Sequence, residues 1–334
     1  MPWKGEKDPY KIWISEIILQ QTRVTQGLSY YNNFIKLFPS LPALANAPDE
    51  QVFKAWEGLG YYSRCKNLLF TARHIVENLN GKFPEKFENI LKLKGIGPYT
   101  AAAISSFAYG LPHAVVDGNV FRVLARFFGE AAAVDSKIGK ELFTAMACEL
   151  LYKKDPGAYN QAIMDFGATI CRPQTPECAA CILQSRCIAF KTGQVENLPV
   201  KAKRLIKTSR FFTYFVFTKD NLVLVRKRTG KDIWENLHEF YLFESDKEYS
   251  WEPREIKDWL KHQLHLSNPS IINVSKLYRQ QLTHQQVSGR FIRIKLSSMP
   301  VTLDGFLTMS SDDLSSIAFP RLINQYLQDN PFDH

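Results

Sequence analysis

Leu93-Lys94-Gly95-Ile96-Gly97-Pro98-Tyr99-Thr100 sits between two stretches whose apolar residues recur at three and four: Phe87, Ile90 and Leu91 before it, Ile104, Phe107 and Ala108 after it. Gly95 and Gly97 permit backbone angles and close approaches that other residues resist, and Pro98 suits the first turn of a helix. The stretch therefore predicts a helix, a tight hairpin and a second helix whose N-terminal amides point outward. Such amides hold phosphate without reading sequence. As a bare turn, G-x-G-P is common, so its weight comes from what accompanies it.

Outward from the hairpin, Pro9 to Phe190 keeps the helical spacing and is poor in strand pattern, which predicts an all-α domain over residues 1–190. A basic linker is expected over 191–208. It runs into Pro199–Arg210, which carries Lys201, Lys203, Arg204, Lys207 and Arg210 and no acid, and which is either a plain hinge or a segment lying along phosphates. After it the periodicity changes. Phe211–Thr218 is aromatic and β-branched, Lys219-Asp220-Asn221 reads as a turn, and Leu222–Arg228 resumes as a partner strand. A helical pattern over Glu252–Leu266, strand-like segments over Ile271–Leu296 and a closing helix around Arg321–Leu327 complete a mixed α+β domain over 209–334.

Four cysteines crowd one short segment, with the spacing C-x6-C-x2-C-x5-C from Cys171 through Cys178 and Cys181 to Cys187, punctuated by Pro173 and Pro176. Four soft thiolates on one loop suit a metal centre. Zinc and an iron–sulfur cluster both accept four cysteines, but zinc sites favour two short C-x2-4-C pairs and only the middle pair here is short, which favours iron–sulfur. Cys65 and Cys148 lie apart in helical patterns and read as buried structural thiols.

The chain has 334 residues, about two ordinary domains in length, with 45% hydrophobic and 22% charged residues, the balance of folded globular chains rather than of disordered or fibrous ones. Its 42 Lys and Arg against 33 Asp and Glu give a net charge of +9, the sign expected of a partner for a polyanion. The apolar stretch Phe211–Phe217 falls far short of the ~18 residues of a spanning helix, and the start lacks the apolar core of a signal peptide. A chain that is neither exported nor membrane-embedded is the expectation.

The hairpin, followed by Val116-Asp117-Gly118-Asn119-Val120 and then by the cysteine loop, resembles the endonuclease III superfamily of helix-hairpin-helix DNA glycosylases. Within it, Trp13-Ile14-Ser15-Glu16-Ile17-Ile18-Leu19-Gln20-Gln21-Thr22 and Gly58-Leu59-Gly60-Tyr61-Tyr62-Ser63-Arg64 are similar to the adenine DNA glycosylase (MutY) branch, and the likeness covers essentially the whole chain. The resemblance implies a [4Fe-4S] cluster on the loop 171–187. It also implies base-excision repair of adenine mispaired with 8-oxoguanine or guanine in duplex DNA, leaving an abasic site, by a cytoplasmic monomer working on chromosomal DNA.

Releasing adenine takes a proton for the leaving base and stabilisation of the charge developing on the sugar, work that two carboxylates with separated pKa values can share. Glu16 lies between Ile12 and Leu19 on its helical face, where desolvation would keep it protonated near neutrality, whereas Asp117 occupies a polar turn beside Asn119. On residue type alone Glu16 reads as a solvated surface acid and Asp117 as a helix N-cap. The resemblance gives Glu16 the role of general acid toward adenine N7, then of base toward water, and Asp117 that of stabilising or transiently bonding the sugar cation. Tyr99 and Asn119 assist. It also implies that Trp3, Lys4 and Gln161 line the adenine pocket. Leu19, Gln20, Gln21, Thr22, Leu59 and Tyr61 would hold the opened duplex around the lesion, and Gly95 and Gly97 would meet phosphate. Bifunctional relatives place a lysine where this chain has Tyr99, and a phenol forms no imine, so base removal without strand cleavage is expected.

The C-terminal half resembles a Nudix domain, yet Trp234-Glu235-Asn236-Leu237-His238-Glu239-Phe240 lacks the acidic R-E-x-x-E-E string, so recognition rather than hydrolysis is expected. Leu282-Thr283-His284 aligns with the Phe-Ser-His segment that reads 8-oxoguanine in the branch. Thr283 keeps the hydroxyl, Leu282 replaces the aromatic ring and Gln286 replaces a downstream histidine. The chain opens at Met1-Pro2-Trp3-Lys4 where the family carries a further helical stretch before L-P-W-R. Two other readings stay open: a glycosylase with lyase activity on damaged pyrimidines, which Tyr99 disfavours, and a shortened, catalytically weak iron–sulfur protein that binds DNA.

Overall fold

The computed structural model describes residues 2–22, 24–202, 207–266, 269–298 and 303–332. By their contacts the residues fall into two compact units, Met1–Asn46 with Lys66–Arg204 and Ala47–Cys65 with Leu205–His334. Residues 47–65, which the sequence reading groups with the first domain, thus cluster with the second. No helix among the described residues is long and apolar enough to cross a membrane.

Among the described residues, eleven α-helices precede the first strand: α1 (Pro9–Leu19), α2 (Val24–Leu37), α3 (Leu41–Ala45), α4 (Asp49–Trp56), α5 (Tyr62–Asn78), α6 (Phe87–Leu91), α7 (Pro98–Tyr109), α8 (Gly118–Phe128), α9 (Lys137–Leu150), α10 (Pro156–Thr169) and α11 (Ile188–Lys191). All but α4 and the first turn of α5 belong to the first unit, which is all-α as the spacing predicts. Helix α1 starts at Asp8, whose side chain accepts the Tyr10 amide, with Pro9 in the first turn. It packs against α2 and α7 and buries Tyr10, Ile12, Trp13, Ile14, Ile17 and Ile18, so it is apolar nearly all round. Glu16 is the one acid in this buried helix. Helix α8 packs against α9, α10 and α11, and Val120, Leu124, Ala125, Phe143, Ala147 and Ala189 form a core there.

The expected hairpin joins α6 to α7. Gly95 has φ +80 and lies so close to α5 that a Cβ would stand 2.6 Å from Cβ of Asn67, so both its backbone angle and its contact call for glycine. The Thr71 hydroxyl donates to the Lys94 carbonyl at 2.8 Å, fixing the turn from the same helix.

The expected linker is in large part packed. Gln194 N–H donates to the Ala189 carbonyl at 2.8 Å, Val134 N–H to that of Val200 at 3.0 Å, and Leu198 is buried in the α8 core. Lys201 and Lys207 are exposed, and Lys203 and Arg204 lie outside the described residues. Arg210 is no free linker cation: it sits in the first strand, ion-paired to Asp232 and Glu244, which hold its guanidinium pKa above the usual value.

In the second unit β1 (Thr208–Lys219) and β2 (Leu222–Lys227) form the expected hairpin, with Asp220 at φ 52 in its turn. After them come β3 (His238–Glu239), β4 (Tyr241–Ser245), α12 (Pro253–Leu264), β5 (Ser270–Val274), β6 (Tyr278–Gln281), β7 (Gln285–Lys295), β8 (Phe306–Ser310) and α13 (Arg321–Asp329). The sheet runs β3-β2-β1-β7-β5 and is mixed, because β1 pairs with β7 in parallel from Thr208↔Gln285 to Thr218↔Lys295. Strand β1 is covered on both faces, as a continuous apolar run requires. Phe215 and Phe217 pack with Ile256 and Leu260 of α12, while Tyr214 stacks on Phe291, itself stacked on Tyr326 of α13.

Candidate active site

A cavity of about 300 Å³ opens in the first unit, lined among others by Trp3, Ile12, Glu16, Phe107, Gly157 and Gln161. That is the lower end of the range for small-molecule sites. Glu16 is 8% exposed, and burial pushes its carboxyl pKa up to about 7, against a downward pull from the Tyr99 hydroxyl and with a further upward push from the charge of Asp117. An acid that is half protonated near neutrality can both give and take a proton. Tyr99, from the first turn of α7, is raised well above the usual phenol pKa by burial and by Glu16, and its hydroxyl also reaches Met164 Sδ at 3.9 Å. The sequence places Trp3, Lys4 and Gln161 at the pocket. Trp3 and Gln161 line it, while Lys4 donates to Asp165 at 2.6 Å.

Asp117 is the N-cap of α8. Its Oδ1 accepts the Asn119 and Val120 amides, both at 2.8 Å, and its Oδ2 accepts from Asn119 Nδ2 at 2.6 Å. The cap and the functional reading therefore coincide in one side chain: the bonds that start the helix also fix the carboxylate near Glu16. Asn119 in turn accepts at Oδ1 from Arg122 Nη2 at 2.8 Å. Arginine only donates, so the amide must turn its oxygen to Arg122 and its nitrogen to Asp117. Helix α10 presses on this corner at Gly167, where a Cβ would meet that of Asn119 at 2.7 Å.

Arg122 is a functional candidate that the sequence reading missed. It is 7% exposed, and it also donates to the Gly167 carbonyl at 2.7 Å and the Cys171 carbonyl at 2.6 Å. It thus links the carboxylate corner to the first cysteine of the loop. An arginine three residues beyond Asn119, on the helix face that also carries Ala125, was the available signal.

The four cysteines Cys171, Cys178, Cys181 and Cys187 line one small apolar cavity beside Arg126. Burial and the neighbouring thiols push Cys178 up. Arg126 donates to the Arg172 and Leu198 carbonyls at 2.7 and 3.0 Å and reaches Cys171 Sγ at 3.5 Å, while Cys187 Sγ donates to the Arg126 carbonyl at 3.3 Å. Among the described residues, no three cysteine, histidine or carboxylate side chains form a group able to hold a single metal ion. The donor set itself, four soft thiols around an apolar cavity with two buried guanidinium groups bonded to neutral acceptors, fits an anionic thiolate-bound centre.

At the hairpin, Gly97 is the N-cap of α7, and nothing lies within 4 Å of where its Cβ would be. The first-turn amides have no partner in their own helix, which leaves an approachable patch of N–H groups. Leu19, Gln20, Gln21 and Thr22 form the end of α1 and the turn after it, with Gln20 Nε2 donating to Thr100 Oγ1 at 3.3 Å and Gln21 at φ 57.

Leu59 and Tyr61 belong to the second unit. Leu59 is buried, whereas Tyr61 is 41% exposed and flanked by the Arg64 guanidinium over its ring. The Tyr61 and Thr283 hydroxyls share a hydrogen bond. Leu282-Thr283-His284 is the tip of the β6–β7 hairpin, with Leu282 N–H bonded to the Gln285 carbonyl at 2.8 Å and the His284 carbonyl accepting Thr208 N–H at 3.0 Å. In the same unit Glu239, 1% exposed, is bonded by Arg226 at 2.9 Å and by Arg228.

Residues 14–145 match the HhH-GPD superfamily of base excision DNA repair proteins, and residues 213–329 match the NUDIX domain. An adenine DNA glycosylase of Buchnera aphidicola subsp. Schizaphis graminum is 38% identical over 247 residues, 73% of this chain and 71% of that protein. One from Buchnera aphidicola subsp. Baizongia pistaciae is 33% identical over 288 residues, 85% and 78% of the two chains. Among solved structures, a thermostable thymine-DNA glycosylase superposes with a TM-score of 0.54 at 29% identity, over 57% of this chain and 88% of its own. The buried acid over a base-sized cavity, the capped aspartate beside it and this likeness along both units agree: the chain belongs to the adenine DNA glycosylase family of the helix-hairpin-helix base-excision repair enzymes.

Proposed function

We propose that this enzyme removes adenine paired with 8-oxoguanine, or with guanine, from duplex DNA and leaves an abasic site. The observation that carries the reading is Glu16: a carboxyl with its pKa raised to about 7, on the wall of a cavity of nucleobase size, with Asp117 close enough to act on it through charge. Glu16 gives its proton to N7 of the adenine as the N-glycosidic bond breaks. Asp117, held by Asn119 and its own helix amides, faces the positive charge that develops on the sugar, and Glu16 then takes a proton from the water that completes hydrolysis. Tyr99 offers no amine to the sugar, so the backbone stays intact.

Bringing adenine to the cavity requires extruding it from the duplex, at a cost of a few kcal/mol that a mispair lessens. The hairpin amides at Gly95 and Gly97 hold phosphate, Gln21 and Thr22 support the opened strand, and Tyr61, Thr283 and His284 read the base opposite. Cys171, Cys178, Cys181 and Cys187 hold a [4Fe-4S] cluster. Bound there, it would tie the loop to one rigid anionic centre, and Arg126 and Arg122 would balance its charge.

The test is single-turnover base release from a duplex carrying one adenine opposite 8-oxoguanine. Release that needs added alkali for strand scission is expected. Scission without alkali would point to a lyase instead, and no release at all would exclude the glycosylase reading. Iron analysis of the same preparation should return about four irons per chain; one zinc per chain would overturn the cluster.

A further inference from the structure

We infer that Asp165, braced by Lys4, sets which way the Gln161 amide faces, and so makes the cavity select a purine carrying an amino group at C6 over one carrying an oxygen there. The inference rests on the glycosylase reading above and extends it to the choice of base.

Asp165 stands one helical turn beyond Gln161 on α10, and neither it nor Lys4 is needed for the proton transfers described. Its Oδ1 accepts from Gln161 Nε2 at 2.9 Å and its Oδ2 from Lys4 Nζ at 2.6 Å. A carboxylate can only accept and an ammonium can only donate. The ammonium therefore holds the carboxylate as an acceptor, and the carboxylate admits the Gln161 amide in one orientation, nitrogen toward Asp165 and oxygen away from it. That oxygen has no protein partner among the described residues, and Gln161 lines the cavity. An amide oxygen offered to a purine pairs with a donor. Adenine carries one, the exocyclic N6 amino group, whereas hypoxanthine, its deamination product, has an oxygen at that atom and would set acceptor against acceptor.

As a plain surface ion pair, with side chains 42% and 44% exposed, Lys4–Asp165 would contribute little to stability. Its geometry does something a generic ion pair does not, because it removes the twofold ambiguity of an amide. Asp165 and Lys4 are positioning residues; neither needs to touch the base.

The test compares single-turnover release of adenine and of hypoxanthine, each opposite 8-oxoguanine, by the native enzyme and by Asp165→Asn. The native enzyme should favour adenine by about tenfold or more, as sites built to bond a polar group reject the analogue that cannot reciprocate. In Asp165→Asn the new side chain can present either oxygen or nitrogen, Gln161 is free to turn, and the adenine-to-hypoxanthine ratio should fall by about tenfold. Gln161→Leu, which removes the amide, should also lower the ratio and serves where Asp165→Asn folds poorly. An unchanged ratio in both variants, whatever happens to the absolute rates, would overturn the inference and leave the glycosylase reading intact. No adenine release by the native enzyme would instead overturn that reading and this inference with it.

Discussion

Each unit buries a glutamate, and the two are handled in opposite ways. Glu239 is 1% exposed and meets two guanidinium groups, those of Arg226 and Arg228. Glu16 is 8% exposed, and the groups acting on it are a phenol and a second carboxylate. Glu239 is held by arginines at both of its carboxylate oxygens. A buried acid without them has its protonation balanced near neutrality and remains available to a ligand. The difference supports the proposal that the chemistry belongs to the first unit. In the second, Asp232, Glu239 and Glu244 are each engaged by an arginine.

The largest effect that would break the comparison is at Glu16. Glu16→Gln keeps the shape and loses the proton, and base release should fall by about 10²–10⁴-fold while duplex binding is retained. Release within tenfold of native would show that the proton comes from elsewhere. Next comes Glu239→Ala, which removes the shared partner of Arg228 and of the more exposed Arg226 and should cost about 1–3 kcal/mol, read as a lower urea midpoint of the full chain. The release rate per folded molecule should be preserved. If the rate fell and the midpoint did not, Glu239 rather than Glu16 would be the working acid.

A third prediction uses pH. The folded-state pKa of Glu16 is raised to about 7, so the acid form declines above that value and base release should drop toward tenfold per pH unit on the alkaline side. The same shift has a stability consequence. A carboxyl with a raised folded pKa contributes stability that is fully present below its unfolded value and is lost as pH rises through about 7. At pH 8 the native protein should therefore be less stable than Glu16→Gln, by on the order of 1–3 kcal/mol. Equal midpoints at pH 8 would mean that Glu16 is not desolvated.

What was legible in the sequence was local. The G-x-G-P hairpin, the cap at Asp117 and the β1–β2 turn each depend on residues within a few positions of one another, and the burial of Glu16 could be read from Ile12 and Leu19 on its own helix. What was not legible depends on distant partners. The parallel pairing of β1 with β7 joins segments separated by α12 and five strands. Residues 47–65 cluster with the second unit through bonds such as Lys54 Nζ to the Ile317 carbonyl at 3.0 Å and Phe319 N–H to Glu57 at 2.8 Å, contacts no spacing rule anticipates. Arg122 and Asp165 read as ordinary helix charges because what distinguishes them is the distant groups they bond, the Cys171 carbonyl and Lys4.

The smallest effect concerns the proposed reading of a base by the second unit. Thr283 and Tyr61 each have a hydroxyl with one proton, and they share one hydrogen bond. If Tyr61 donates, the Thr283 proton is free for the extra oxygen of 8-oxoguanine; if Thr283 donates, its remaining lone pair suits the N7–H that 8-oxoguanine has and guanine lacks. Either arrangement favours the lesion by roughly one hydrogen bond, about 0.5–1.5 kcal/mol. Thr283→Ala should thus reduce the preference for 8-oxoguanine over guanine opposite adenine by about two- to tenfold, and Thr283→Ser should restore it. Tyr61→Phe separates the two arrangements. It leaves the preference largely intact if Thr283 donates to the lesion, and lowers it if the Thr283 proton, no longer taken by Tyr61, turns toward an acceptor that guanine also carries. An unaltered preference in Thr283→Ala would mean that the hairpin tip packs and does not read, leaving the division of labour between the two buried glutamates without its second half.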